Sequence, residues 1–463
     1  MTSVTLMAST AQASSPRGGR PSIVRTELGE LLKLSGPVVL ARLGIMTMGL
    51  TDAIVVGRYS AEQLGFHALA WGPTSVVLTM AVGLLSGVQV MTARAIGEGR
   101  RTETGAVLRR GMVYGAWIGL ASMAVLAILG PPGMHMIGLE PALAAGAAPV
   151  VVIFSLSLPT YVVSCAATFW LEALSKPTPA MLIMWGANVV NVVLLLLLVP
   201  GAFGLPAHGA LGAAWATFGA RAFLLVGLLA YIAAMKEARD LGVFTRPPRD
   251  RAAERTQRQI GYGAGASNFF EVAAFASLNV IAGWIGGLAV AAWTVVLNVA
   301  ALVFMVPLGL ATATAVLVGR AYGGRDREAV IRAGAIGFSV TAVFGLLISL
   351  AIWPAAGVIV RAYTTDATVM AMAAAALVLS CLFFLADALQ VVIAQALRAR
   401  GDVLVPTLTH LTSYIVIMMP LAWWLAIPKG LGIMGLVWAV IAASLISAGL
   451  LLTRFWRLSL RPL

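Results

Sequence analysis

Residues 287–317 read GLAVAAWTVVLNVAALVFMVPLGLATATAVL and contain no charged side chain. An apolar stretch of about 20 residues is long enough to cross the hydrocarbon core of a bilayer as an α-helix. Eleven other stretches reach this length, and the sequence lacks the alternating pattern of barrel strands. We therefore predict an all-α membrane protein with twelve transmembrane helices. The predicted spans are 34–57, 64–92, 107–130, 142–165, 179–200, 209–233, 259–283, 287–317, 329–352, 367–395, 403–427 and 432–454.

Charge is scarce and lies mainly on one side of the predicted membrane protein. Hydrophobic residues make up 60% of the chain and charged residues 11%, which is outside the range of soluble domains. The net charge of +13 could indicate nucleic-acid binding, but 26 of the 31 Lys and Arg residues lie at the termini or near the loops after even-numbered spans. The positive-inside rule then predicts that both termini are cytoplasmic. We expect the lipid bilayer of a bacterial inner (plasma) membrane as the surroundings, and no nucleic-acid partner.

The chain contains two similar halves. A shift of 226 residues superposes Gly83, Arg94 and Gly97 on Gly309, Arg320 and Gly323. Further along the chain a shift of 223 residues superposes Gly212 and Trp215 on Gly435 and Trp438. Each half has an even number of spans, so the two six-helix bundles should be related by a pseudo-two-fold axis along the membrane normal. The predicted parts are a disordered cytoplasmic tail (1–33), an N-terminal lobe (34–235), a cytoplasmic linker (236–258), a C-terminal lobe (259–455) and a cytoplasmic tail (456–463).

Three carboxylates, Asp52, Glu271 and Asp387, lie well inside predicted spans. Inserting an acid into a membrane helix costs about 2.5–3.5 kcal/mol, and such residues usually mark an ion or substrate pathway. The alternative is a structural hydrogen bond between helices, which contributes only about 0.6–2 kcal/mol. This comparison favours a functional role for Glu271 and Asp387. Asp52 lies six residues from Arg58, so the residues alone leave open whether it sits near the outer interface.

Polar residues share the helix faces of two of these acids. Asn268 lies on the face of Glu271, and Ser380 and Gln390 lie on the face of Asp387. Two arginines also fall inside spans, and we expect each either to extend toward an interface or to neutralise a buried acid. These are Arg42 and Arg221.

The sequence contains neither a metal-binding motif typical of enzymes nor an ATP-binding loop. The four histidines are scattered without metal-ligand spacing, and no G-x-x-x-x-G-K-[ST] loop occurs. We therefore expect neither an enzyme nor a cofactor.

Several stretches resemble the multidrug and toxic compound extrusion (MATE) family, most closely its NorM-type branch. The stretches include FFEVAAFASLN (269–279), which continues through the eighth span, and ADALQVVIAQALRARGD (386–402). The resemblance covers about residues 31–455. It implies a two-lobed antiporter that exports small organic cations in exchange for Na⁺ or H⁺, and we expect a functional monomer.

The resemblance also assigns roles to residues. It implies that Glu271 and Asp387 couple transport to a cation and are the ligands if that cation is Na⁺. Residues expected to line the substrate cavity are Asp52, Asn191, Asn268, Asn298, Ser380 and Gln390. Trp293 is a candidate for cation–π contact by position alone. Two alternatives stay open: a flippase for a lipid-linked saccharide or peptidoglycan precursor, which would need a central arginine cluster, and a membrane scaffold that transports nothing.

Overall fold

The computed structural model describes residues 20–136, 141–202, 204, 206–245 and 250–461, and within these ranges every regular element is helical. Twelve helices are long and apolar enough to cross a membrane, which confirms the predicted fold class. Lipid offers no partner for free backbone groups, so each helix satisfies its own. Helices 1 to 12 are Arg20–Tyr59, Ala61–Gly97, Arg101–Met136, Pro141–Ala173, Pro177–Leu198, Gly209–Ala234, Arg251–Ile285, Gly287–Gly323, Arg327–Arg361, Ala367–Ala399, Leu404–Ala426 and Ile433–Ser459.

The predicted N-terminal tail is too long. The backbone is helical from Arg20 onward, so residues 20–33 belong to helix 1, while residues 1–19 lie outside the described residues. Within this extension Leu31 is fully buried. Glu27 pairs with Arg332, so the extension packs on the C-terminal half of the chain.

Two other predicted boundaries are also wrong. Helix 7 begins at Arg251, inside the predicted linker, and the Asp250 carboxylate caps it by accepting a hydrogen bond from the Ala253 amide at 3.0 Å. Helix 12 runs to Ser459, inside the predicted C-terminal tail. In all three cases the helix continues past the apolar stretch, because helical hydrogen bonding does not stop where the hydrocarbon does.

The helices form two lobes, each with its own apolar core. Helices 1 to 6, the N-lobe, surround a cluster that includes Phe154, Trp170 and Leu228. Helices 7 to 12, the C-lobe, surround a cluster that includes Trp293 and Tyr414. A third cluster joins the lobes at the end of the molecule where helix 1 begins and helix 12 ends, which we call the termini end.

The lobes approach each other closely where helices 2 and 8 end. Gly97 packs against the backbone carbonyl of Arg320, and Gly323 packs against the carbonyl of Arg94. A side chain at either glycine would collide with backbone. The two glycines and the two arginines are the equivalent positions found by the internal repeat, so each lobe contributes the same close contact.

The same two arginines bind carbonyls of the opposite lobe, and we call this set of contacts the arginine latch. Arg94 of the N-lobe donates to the carbonyls of Ala399 at 2.9 Å and Arg398 at 3.2 Å, where helix 10 ends. Arg320 of the C-lobe donates to the carbonyl of Ala173 at 2.7 Å, where helix 4 ends. The last carbonyls of a helix have no partner within it, so cationic donors are well matched to them.

Hydrogen bonds between the lobes are confined to the half of the molecule nearest the termini. They extend inward from the latch through Gln257, which donates to the Val107 carbonyl at 3.3 Å, as far as Asn268, which donates to the Thr79 carbonyl at 3.3 Å. Beyond that point, toward the opposite end, the described residues make no hydrogen bond between lobes. The lobes are therefore held together at the termini end.

Candidate cation site

Asp387 belongs to a polar network inside the C-lobe. The Gln390 amide nitrogen lies 3.4 Å from the Asp387 carboxylate and 2.6 Å from the Tyr414 hydroxyl. The Gln390 carbonyl oxygen accepts a hydrogen bond from Ser447 at 3.1 Å, and Ser444 lies beside the carboxylate. One glutamine thus connects helices 10, 11 and 12 and orients the surroundings of the acid.

Glu271 on helix 7 faces this network without being bound into it. Its side chain is half-buried and makes no hydrogen bond or ion pair within the described parts of the chain. Its charge and that of Asp387 repel each other, while Arg398 is the cation that attracts it. The two predicted coupling acids therefore lie in the same interior, and the Glu271 carboxylate is unpaired among the described residues.

Helix 11 is irregular where it borders the site. It is π-helical from Leu411 to Met418, a geometry that frequently occurs at functional positions. The widened turn carries Tyr414, whose ring lies 6.3 Å from that of Phe275 on helix 7 and 5.6 Å from that of His410. The turn therefore brings an aromatic face and a hydroxyl to the same interior.

Several polar atoms around this interior are buried without a partner. They are both ring nitrogens of His410, the Nε and Nη2 atoms of Arg398 and the hydroxyl of Ser413. Buried polar groups in native proteins are almost always bonded to protein, water or ligand, so a cluster of such atoms indicates a polar site. Carboxylates, hydroxyls and an amide oxygen are ligands that suit a hard cation such as Na⁺. Among the described residues no group of three or more His, Cys, Asp or Glu converges as a metal centre.

Asp52 lies in the N-lobe in a different setting. It is 2% exposed, and its carboxylate accepts hydrogen bonds from Asn191 at 2.6 Å and from Thr217 at 2.7 Å. Arg221 provides a compensating charge within electrostatic range. Asp52 is thus buried in the N-lobe rather than placed at an interface, and it is far more tightly bonded than Glu271.

Both intramembrane arginines lie on the inside of the N-lobe. Arg42 pairs with Glu172 at 3.3 Å, and the other carboxylate oxygen of Glu172 accepts from Gln89 at 3.2 Å. Arg221 donates to Ser157 at 2.6 Å and lies over the Tyr161 ring. Arg42 therefore neutralises a buried acid, one of the two roles predicted for it.

Three other predicted cavity residues make no hydrogen bond to the acids among the described residues, and their place in a cavity stays a prediction. Asn268 is bonded across the lobe interface, Ser380 donates to its own helix at Ala376, and Asn298 is exposed with no side-chain hydrogen bond among the described residues. Trp293 is 1% exposed inside the C-lobe core, so its ring is covered by protein in this conformation, and its cation–π contact stays a prediction.

Sequence reasoning missed four residues of these interiors. Glu172 and Arg398 stand next to polar stretches and were not recognised as buried. Tyr414 and His410 lie in THLTSY (409–414), a polar run inside an apolar span that could have marked them. Arg398 lies within ADALQVVIAQALRARGD, one of the stretches that carry the family resemblance.

Comparison with known proteins assigns the family. The MatE family model matches residues 37–197 and again residues 264–424, with starts 227 residues apart (264 − 37). The protein belongs to the MatE family. The double match agrees with the two similar halves found in the sequence, and each match lies within one lobe.

Relatives and solved structures agree with this assignment. The chain is 59% identical over 462 residues to a "Probable multidrug resistance protein NorM" of Caulobacter vibrioides, covering 100% of this chain and 98% of that protein. It is 30% identical to "Multidrug resistance protein PmpM" of Pseudomonas aeruginosa, covering 87% and 85%. The crystal structure of the eukaryotic MATE transporter AtDTX14 has the same fold, with a TM-score of 0.86 at 18% identity over 93% of this chain and 96% of that one. This MATE protein is therefore a multi-pass membrane protein and not an enzyme.

Proposed function

We propose that this protein exports small organic cations, including drugs, in exchange for Na⁺ or H⁺ by alternating access. The observation that carries the proposal is Glu271, a half-buried carboxylate without a bonded partner, facing the second acid Asp387. The names of the relatives, which describe multidrug resistance proteins, support drugs as the cargo.

Exchange of the coupling ion for the organic cation follows if both bind at the same site. A coupling ion and an organic cation would both compensate the negative charge at Glu271 and Asp387, so the binding of one weakens the binding of the other. Glu271 could release its ion to an arriving cargo without first breaking a protein hydrogen bond. The two acids against one arginine in this interior disfavour an anionic lipid-linked cargo.

Alternating access is supported by the one-sided contact between the lobes. If the termini are cytoplasmic, as the distribution of basic residues predicts, the latch closes the cytoplasmic side in this structure. The site would then open to the outside, where cargo leaves and the coupling ion enters. Opening at the cytoplasmic side would require the latch to break while each lobe moves as a unit.

The test uses purified protein in liposomes with Na⁺ and pH gradients imposed separately and ethidium as the cargo. We expect one of the gradients to drive ethidium movement, and Glu271→Gln to reduce the driven rate at least tenfold. Glu62→Gln is the matched control, since Glu62 is an exposed acid in the first turn of helix 2. Gradient-driven transport at the normal rate in Glu271→Gln would refute the coupling role.

A further inference from the structure

Arg398 is a buried cation without a bonded partner for most of its guanidinium. It is 2% exposed, and its Nε and Nη2 atoms have no hydrogen-bond partner among the described residues. Arg221 and Arg400 each leave only Nε without a partner among the described residues and bond through another guanidinium nitrogen: Arg221 donates to Ser157, and Arg400 donates to Ser459 at 2.7 Å. An unpaired buried charge is expensive, so its retention at this position calls for a functional explanation.

The guanidinium belongs to the interior that contains the two acids. Glu271 is the carboxylate that acts on it electrostatically, although no ion pair within 4.0 Å forms between them in the structure. His410 on helix 11 is within range of the same charge. Arg398 is therefore close enough to weaken cation binding at Glu271 without occupying the carboxylate.

The backbone of Arg398 is held from the other lobe. Its carbonyl and that of Ala399 both accept hydrogen bonds from Arg94 in the arginine latch. The end of helix 10 is thereby anchored while the side chain points into the C-lobe. The positive charge is thus a fixed part of the site in this conformation.

The charges in the two lobe interiors balance differently. In the N-lobe the acids Asp52 and Glu172 face the cations Arg42 and Arg221, so the interior is neutral when all four are ionised. In the C-lobe Glu271 interacts electrostatically with Asp387 and with Arg398, and Arg398 is the cation among the described residues that acts on this pair of acids. When these three groups are ionised, one negative charge remains, and a single monovalent cation would compensate it.

We propose that Arg398 sets the charge selectivity of the transporter: it compensates one of the two C-lobe acids, so that the site accepts one monovalent cation and disfavours divalent organic cations. This inference rests on the proposed function, because it concerns the site at which cargo and coupling ion exchange. Arg398 is on this view a specificity-determining residue that acts through the field at Glu271 and Asp387.

The first experiment compares two cargoes that share a ring system but differ in charge, ethidium (+1) and propidium (+2), in the same liposome assay. Wild-type protein should move ethidium much faster than propidium. Arg398→Gln should lower this ratio by about tenfold or more, because it removes a unit charge from a low-dielectric site. Arg398→Lys, which keeps the charge, should preserve the ratio. A ratio in Arg398→Gln within about twofold of the wild type would overturn the proposal.

A second pair of variants keeps the test decisive if Arg398→Gln folds poorly. Asp387→Asn alone should make the C-lobe interior neutral and suppress ethidium transport. Adding Arg398→Gln to it restores one uncompensated negative charge, so the double variant should recover ethidium transport. A double variant no more active than Asp387→Asn would overturn the proposal. If the wild type shows no gradient-driven ethidium transport, the proposed function itself fails, which is a separate outcome.

Discussion

The two lobes have the same helix order but differ in how they hold buried charge. In the N-lobe the two buried acids of the interior are bonded through both carboxylate oxygens, since Asp52 binds Asn191 and Thr217 while Glu172 binds Arg42 and Gln89. In the C-lobe Glu271 has no such partner. The latch, by contrast, uses the equivalent residues Arg94 and Arg320 from both lobes.

This difference indicates that the buried acids of the two similar halves have different roles. If the lobes close against each other as proposed, matching contacts from both lobes are expected, and Arg94 and Arg320 at equivalent positions of the arginine latch provide them. The proposed cation site needs a charge that is not already compensated, and among the described residues of the two lobe interiors Glu271 is the acid without a bonded partner. We therefore expect acids of the N-lobe to matter mainly for stability and acids of the C-lobe mainly for transport.

The largest effect should come from Glu172→Gln. It leaves Arg42 without its counter-ion, and breaking a buried ion pair costs about 3–5 kcal/mol. We expect the free energy of unfolding to fall by about 3 kcal/mol, the lower end of this range, because Arg42 is partly exposed. Thermal unfolding of the detergent-purified protein measures it. Glu271→Gln is the matched change in the other lobe and should not destabilise the protein, since it removes an unpaired charge. Equal unfolding temperatures for the two variants would contradict the comparison.

Asp52→Asn should have the next largest effect. The amide cannot accept both hydrogen bonds in the existing arrangement, and leaving a buried donor unpaired costs about 1–3 kcal/mol. Thr217→Val, which removes only one of the two bonds, should cost about 1 kcal/mol. Unfolding and ethidium transport are measured on the same samples. If Asp52→Asn abolishes driven transport at unchanged stability, Asp52 belongs with Glu271 and the contrast between lobes is wrong.

The latch should yield a smaller shift that involves both lobes equally. Replacing Arg94 or Arg320 by Gln removes a cationic donor from the end of a helix in the opposite lobe. We expect about 1 kcal/mol per site, or about a fivefold shift toward opening at the termini end. Spin labels on Thr102→Cys and Glu328→Cys, both exposed, would report the distance between lobes. Arg101→Gln, an exposed neighbour, serves as control.

An unequal response of the two latch variants would be informative. If only Arg94→Gln populates longer distances, the latch is not symmetric in energy even though its residues are equivalent. If neither does, contacts such as those of Gly97 and Gly323 hold the lobes together without it.

The fold was predictable because hydropathy identifies each helix independently. Twelve apolar stretches and a repeat offset were enough to predict the twelve spans and the two halves. The ends of helices 1, 7 and 12 were not, because charged turns beyond the hydrocarbon remain helical and pack against the other lobe. Glu30 on helix 1, for example, pairs with Arg320 at 3.2 Å.

The site was predictable only in part, for a related reason. An acid such as Glu271 is conspicuous in an apolar stretch, and so was found. Arg398 and Glu172 stand beside polar stretches, and their burial depends on neighbouring helices that no local pattern describes. The distinction between bonded Asp52 and unbonded Glu271 is likewise tertiary: partners of Asp52 come from residues 139 and 165 positions away.

Tyr414→Phe should give the smallest effect and sharpen the account of the C-lobe. It removes the hydroxyl that accepts from Gln390 but keeps the ring against Phe275. Losing one neutral hydrogen bond costs about 1 kcal/mol, so ethidium affinity should fall only a few-fold if Gln390 merely orients Asp387. Ethidium binding by fluorescence anisotropy measures it, with Tyr322→Phe as control. A loss as large as that of Glu271→Gln would mean that the hydroxyl itself contacts the cation, and Tyr414 would then join the two acids as a ligand.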